Sequence, residues 1–374
     1  MHLDDYIDAL PNPLETIEKL NQYVIGQDIA KKNLSVLLLV RALMRLQKNG
    51  RIPQDVEIQK SNLLLIGPTG SGKTELIRAL SEIADIPILI KDVTGITSAG
   101  YIGGKVEDIL VEYITLVENY IKSYKFNAQD SLLEEPEVLY QDLFLDTLET
   151  GIIYLDEIDK LLATGDKADI TGNMVQNELL KMLEGNTLKL INSKLEWPRS
   201  GHKELNTKYI TFICGGAFSG LSEIVHTRLT KASGIGFNSS LNHYNIEKHT
   251  SELLLKVTTD DLLKYGFKAE FLGRLPLKAV LNELTLPVMM QIITEPKNAI
   301  YKRYQAFFKL FNIELAIDKQ GVKEIAQRAI ELKMGARSLH QIFNTLFIED
   351  LANVFNLKNS ILTLSKVDVI KRLK

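Results

Sequence analysis

Residues Gly67-Pro68-Thr69-Gly70-Ser71-Gly72-Lys73-Thr74 fit the pattern G-x-x-x-x-G-K-[ST] in full. An apolar run, Asn62–Ile66, precedes them, and a helical stretch from about Thr74 to Ala84 follows. This strand–loop–helix setting is the context the motif needs. Glycines let backbone N–H groups close around phosphates, and the helix N-terminus adds the positive end of its dipole. Lys73 is then placed to reach the β- and γ-phosphates of ATP, and the Thr74 hydroxyl to ligate Mg2+. A second run, Gly151-Ile152-Ile153-Tyr154-Leu155-Asp156-Glu157, is a hydrophobic strand ending in two carboxylates. Asp156 would hold Mg2+, directly or through water. Glu157 would orient and deprotonate the attacking water. Alone, such an acidic pair is an ordinary solvated turn; beside a phosphate loop it completes a hydrolytic site. A small-molecule kinase needs no water-activating Glu, so the pair favours an ATPase.

The elements that must position these groups are legible around them. Strand candidates are Asn62–Ile66, Ile86–Ile90, Ile152–Leu155, Tyr209–Ile213 and Leu277–Leu281. Between the second and third, Val106, Ile109, Leu110, Tyr113, Ile114, Val117 and Ile121 form a helical stripe. Strands alternating with helices argue for an α/β fold, a parallel sheet covered on both faces. After Glu283 the texture changes. A helical stripe from Met289 to Phe311 is interrupted at Pro296, and helices over about 319–333 and 338–354 follow, with short strands near 313–317 and 360–364. The expected organisation is a large nucleotide-binding domain over 1–283 and a small, mostly helical domain over 284–374.

Composition narrows the class. The chain of 374 residues has 44 Lys plus Arg against 47 Asp plus Glu, so it offers no basic footprint for duplex nucleic acid. Its one cysteine, Cys214, excludes an intramolecular disulfide and a multi-cysteine zinc site. The run Leu34–Val40 stops at Arg41, well short of the ~20 residues of a membrane span. Asp4, Asp5, Asp8, Glu15 and Glu18 argue against a transit peptide. A cytoplasmic protein is expected. No H-E-x-x-H or G-x-S-x-G is present, so any linked proteolysis would come from another chain.

Several further segments carry a resemblance. Tyr23-Val24-Ile25-Gly26-Gln27, the phosphate loop, Gly100-Tyr101-Ile102-Gly103, Leu155–Lys160, Leu179–Gly185, Phe212–Phe218, Glu270–Pro276 and Gly335–Leu339 together resemble the ClpX-type AAA+ protein unfoldases, in order from about Pro11 to Phe355. The resemblance implies a P-loop AAA+ module with a small helical lid. It implies a homo-hexameric ring that unfolds tagged or unfolded protein substrates and feeds them to a ClpP-like peptidase. Residue by residue, Val24 and Ile25 match the segment around adenine. Arg274 matches the arginine finger reaching ATP of the neighbouring subunit, and Arg337 the sensor arginine of the small domain. A cation such as Arg337 at a helix start opposes the dipole, and a nearby anion would resolve that. Tyr101 and Ile102 match the pore loop that grips polypeptide. Ile235, Gly236 and Phe237 match the peptidase-docking tripeptide, which HslU-type ATPases lack.

The sequence also departs from the family. The family's zinc-binding N-terminal domain is expected to be lacking, since one cysteine cannot supply its ligands. The segment 119–150 is long and acidic; its expected form is a solvated surface loop, with a partner or substrate surface as the alternative. The second pore loop, about Ala163–Gly172, is short, and Arg199, His202 and Lys203 form only a scattered version of the basic loop that attracts acidic tags. Alternative readings are a stand-alone remodelling chaperone, an HslU-like ATPase, or a nucleic-acid AAA+ ATPase. The aromatic pore loop and the charge balance count against the last.

Overall fold

Strand β1 (Leu63–Ile66) lies inside a five-stranded sheet with β2 (Ile88–Asp92), β3 (Ile152–Asp156), β6 (Thr211–Gly216) and β7 (Leu277–Val280). The order is β2-β3-β6-β1-β7, and all pairings are parallel. This is a computed structural model; it describes residues 7, 9–53, 55–96, 106–125, 136–161, 170–189, 204–232 and 250–373. The central strands β1, β3 and β6 are buried throughout, which explains why they read as continuous apolar runs rather than alternations.

The period of two divides those runs between two cores. Leu64, Ile66, Ile153, Leu155, Phe212 and Cys214 face one core, with α4 (Val106–Lys125), α5 (Pro136–Glu149) and α6 (Ile170–Glu184). Leu63, Leu65, Ile152, Tyr154 and Ile213 face the other, with α1 (Pro13–Asn21), α2 (Asp28–Lys48) and α3 (Lys73–Ala84). Each fully buried leucine is worth about 1.5–3 kcal/mol over an exposed one. The Cys214 thiol is pushed up to about 12 by burial, so it is an inert core residue.

A third core is built entirely of residues beyond Leu281. It joins α11 (Leu286–Thr294), α12 (Ile300–Lys309), α13 (Lys319–Glu331), α14 (Ser338–Ala352) and α15 (Lys366–Arg372) with the parallel pair β8 (Glu314–Ile317) and β9 (Ile361–Leu364). Tyr304, Phe308, Phe343 and Phe347 pack at its centre, with ring centroids 5.0–5.9 Å apart. The remaining elements are β4 (Thr187–Lys189), β5 (Glu204–Asn206), α7 (Leu221–Ala232), α8 (Thr250–Leu254), α9 (Thr259–Tyr265) and α10 (Ala269–Gly273). No helix among the described residues is long and apolar enough to cross a membrane.

Two expectations need correction. The strands expected at Ile86–Ile90 and Tyr209–Ile213 lie later, at 88–92 and 211–216, because their hydrogen-bond register with β3 sets their ends. The acidic segment is not simply a solvated loop. Its C-terminal half is helix α5, which buries Phe144 and Leu148 at helical spacing. Its acids pair with the basic end of α2: Asp146 with Arg45 at 2.5 Å, and Glu149 with Lys48 at 2.8 Å.

Candidate nucleotide site

The phosphate loop leaves the carboxyl end of β1, and Asp156 ends β3, with β6 between them. In an open parallel sheet this edge is where ligands bind. Gly67 N donates to Gly216 O at 3.3 Å, tying the loop to β6. Lys73 opens α3 and is buried; its Nζ donates to Gly67 O at 2.5 Å and Pro68 O at 3.1 Å. The ammonium thus rests on carbonyls of its own loop. Burial pushes it down to about 8, the nearby Arg337 charge adds to this, and Asp156 opposes it. Ser71 Oγ is buried in the same loop without a hydrogen-bond partner. A desolvated lysine and an orphaned hydroxyl in one loop fit an anionic phosphate group.

Thr74 Oγ1 donates to Asp156 Oδ2 at 2.9 Å, and Asp156 Oδ1 accepts from Tyr154 Oη and Glu157 N, each at 3.0 Å. Burial, then the Asp156 charge, raises the Tyr154 phenol, so it stays a donor. Among the described residues no cluster of three or more His, Cys, Asp or Glu could hold a metal alone. One hydroxyl touching one carboxylate is instead the set that suits Mg2+ held mainly by phosphate oxygens and water. Glu157 follows with φ 59°, a left-handed conformation rare outside glycine and common at strained functional positions.

The third core reaches the same loop. Gly70 O accepts from Ala336 N at 3.2 Å. The approach is close: a Cβ on Gly335, which has φ +58°, would lie 2.7 Å from Gly70 O. A cavity of about 250 Å³ lies between the two sides, lined among others by Tyr23, Lys73, Thr74, Arg78, Pro296 and Arg337.

The structure therefore brings together Lys73, Thr74, Asp156 and Arg337. Val24 is packed in the core beneath α2 and α3, Ile25 is half-buried, and the neighbouring Tyr23 lines the cavity instead. Arg274 lies outside this cavity, at the end of α10, half exposed and paired with Glu184 at 3.3 Å. Tyr101, Ile102, Ile235, Gly236, Phe237, the segment 162–169, Arg199, His202 and Lys203 lie outside the described residues.

Several supporting residues escaped the sequence reading. Gln27, buried, donates from Nε2 to Ser71 O at 3.0 Å and Asn282 O at 2.9 Å, and accepts from Asn282 N at 2.8 Å. It joins the start of α2, the phosphate loop and the exit of β7. Asp159 accepts from Ala217 N at 3.3 Å and Phe218 N at 3.0 Å, holding the end of β6 against the turn after Glu157. Asn62 accepts from Phe212 N and donates to Arg274 O, both at 2.9 Å. Beside it, Lys60 donates to Thr207 O at 3.0 Å, and burial together with the Arg274 charge pushes it down to about 7. Gln27 and Asp159 lie within segments that carry the resemblance, Tyr23–Gln27 and Leu155–Lys160, but nothing in the sequence marked their hydrogen-bonding roles.

A family model described as AAA domain (Cdc48 subfamily) matches residues 58–278. The chain is also 39% identical over 348 residues to the ATP-dependent Clp protease ATP-binding subunit ClpX of Treponema denticola, covering 91% of this chain and 77% of that protein. The match spans both the sheet and the helical core beyond it, and the enzyme is an ATPase. The chain belongs to the ClpX family of AAA ATPases.

Proposed function

We propose that this ATPase works as a protein unfoldase and translocase, in a homo-hexameric ring that feeds unfolded or tagged proteins to a ClpP-like peptidase in the cytoplasm. The observation that carries the reading is the cavity in which Lys73 and Thr74 meet Arg337, a residue from beyond the sheet. A nucleotide there would touch both sides at once, so its loss would change how they sit together. The relative's description as the ATP-binding subunit of a Clp protease supports the peptidase partner. The corresponding domains are 1–283 and 284–374.

In this reading the loop amides and Lys73 hold the β- and γ-phosphates. Thr74 and Asp156 would hold Mg2+, which neutralises charge on the phosphate oxygens when bound. Glu157 orients a water and takes its proton. Arg274 acts on ATP of the neighbouring subunit, and Arg337 reports the bound nucleotide to the C-terminal domain. Tyr101 and Ile102 grip the polypeptide, and Ile235-Gly236-Phe237 docks the peptidase.

The test is Glu157→Gln. It should bind ATP and assemble while hydrolysis falls by roughly 10²–10⁴. Purified with its bound proteins, it should retain both substrates and a peptidase. Normal turnover would refute the assignment of the base; a trap that holds no peptidase would refute the Clp partnership.

A further inference from the structure

A second cavity, of about 640 Å³, shares no lining residue with the nucleotide cavity. It lies among α1, α2, the end of α3 with the Asp85–Pro87 link that leads into β2, and the facing parts of α4 and α5. Much of its wall is apolar, including Leu10, Leu38, Ile83, Ile86, Ile121 and Leu143. Into this wall α2 places Arg41, which is only 8% exposed and whose Nε has no hydrogen-bond partner. Its neighbours are different. Arg45 is paired with Asp146, and Lys48 with Glu149; among the described residues no ion pair reaches Arg41. Burial holds the guanidinium down at about 10, against its ordinary 12.5, although Tyr113 and the more distant Asp146 charge act in the other direction. A buried, unpaired guanidinium is one of the least favourable groups a fold can carry, and a bound carboxylate is the partner its fork geometry matches best.

We propose that this cavity is a binding site for a small monocarboxylate with an apolar body. The carboxylate accepts from Arg41, and the carbon chain lies along Leu38, Ile83 and Ile121. Lys19, Arg45, Glu15 and Asp85 also line the cavity, so together with Arg41 its wall carries three cations against two anions, an excess of one positive charge that a monoanion balances and a dianion such as phosphate overshoots. The lack is of one negative charge, and the apolar wall supplies the rest of the selectivity. Nothing in this inference depends on the unfoldase reading.

Hexanoate is the probe, titrated calorimetrically into the full chain with the nucleotide site saturated by ADP. Wild type should bind it saturably and unfold at a higher temperature in its presence. Arg41→Met should weaken hexanoate at least about tenfold while ADP binding is unchanged. Without hexanoate, Arg41→Met should melt above wild type, because an apolar side chain replaces an unpaired buried charge. Ala42→Phe, which narrows the cavity and keeps Arg41, provides a second variant and should also lose hexanoate but keep ADP. Failure of wild type to bind hexanoate, unchanged affinity in Arg41→Met, or displacement of hexanoate by inorganic phosphate would overturn the proposal.

Discussion

Lys73 shows what a single residue can report. Its ammonium is desolvated, satisfied only by neutral carbonyls and pushed down to about 8 from 10.5. The folded protein thus releases this proton before the unfolded chain does. Between about pH 8 and 10.5 the unfolded state binds more protons, and this group makes the nucleotide-free protein more stable as pH rises. Phosphate reverses the sign by favouring the charged form. Binding of ADP at pH 9 should therefore take up about one proton, measured by calorimetry in buffers of different ionisation heat. Zero uptake would mean that Lys73 does not meet phosphate. The phosphate-loop pattern already names this residue. Its titration is set by burial, opposed by Asp156 and Asp159 and reinforced by Arg337, 264 positions later, a combination no local pattern contains.

At the scale of elements, the phosphate loop and the turn before α14 are in backbone contact at Gly70 and Gly335. Gly335→Ala meets two penalties: about 1–2 kcal/mol for a left-handed L-residue, and the collision with Gly70. Gly50 has nearly the same φ, +65°, with nothing within 4 Å of a Cβ. Gly50→Ala should therefore show the backbone penalty alone, and Gly335→Ala a clearly larger loss in urea unfolding of the nucleotide-free protein. Equal losses would show that the contact carries no weight. Helix α5 makes a related point. Its acids suggest a solvated loop, but helical spacing of Phe144 and Leu148 and ion pairs to α2 hold it against the domain. Pairing partners from another element decide whether an acidic stretch is solvated or docked.

At the scale of the whole molecule, Arg274 is the telling residue. It is half exposed, held by Glu184 and by Asn62 through its carbonyl, and lies outside the cavity of its own chain. That placement suits action across a subunit boundary. Arg274→Ala should lower hydrolysis by roughly 10³–10⁵ without loss of ATP binding. Mixed in equal amounts with Glu157→Gln, it should recover about a quarter of the wild-type rate. Random assortment in a ring gives that share of interfaces an intact base on one side and an intact arginine on the other. Two dead variants that stay dead when mixed would place Arg274 in its own subunit's site or outside the chemistry altogether.

The kind of fold and the presence of an ATPase were legible in the sequence. The phosphate loop and the Asp156–Glu157 pair each follow an apolar run, as groups delivered to one sheet edge require, and the alternation of such runs with helical stripes argues for a doubly covered parallel sheet. Tertiary structure alone decided the rest. It set which strands are neighbours, and so that Thr74 touches Asp156. It brought Arg337 to the loop, put Tyr23 rather than Val24 on the cavity, and left Arg41 buried with no direct ion pair among the described residues. These are outcomes of pairing between distant segments, and their free energy resides in contacts that exist only once the chain has closed on itself.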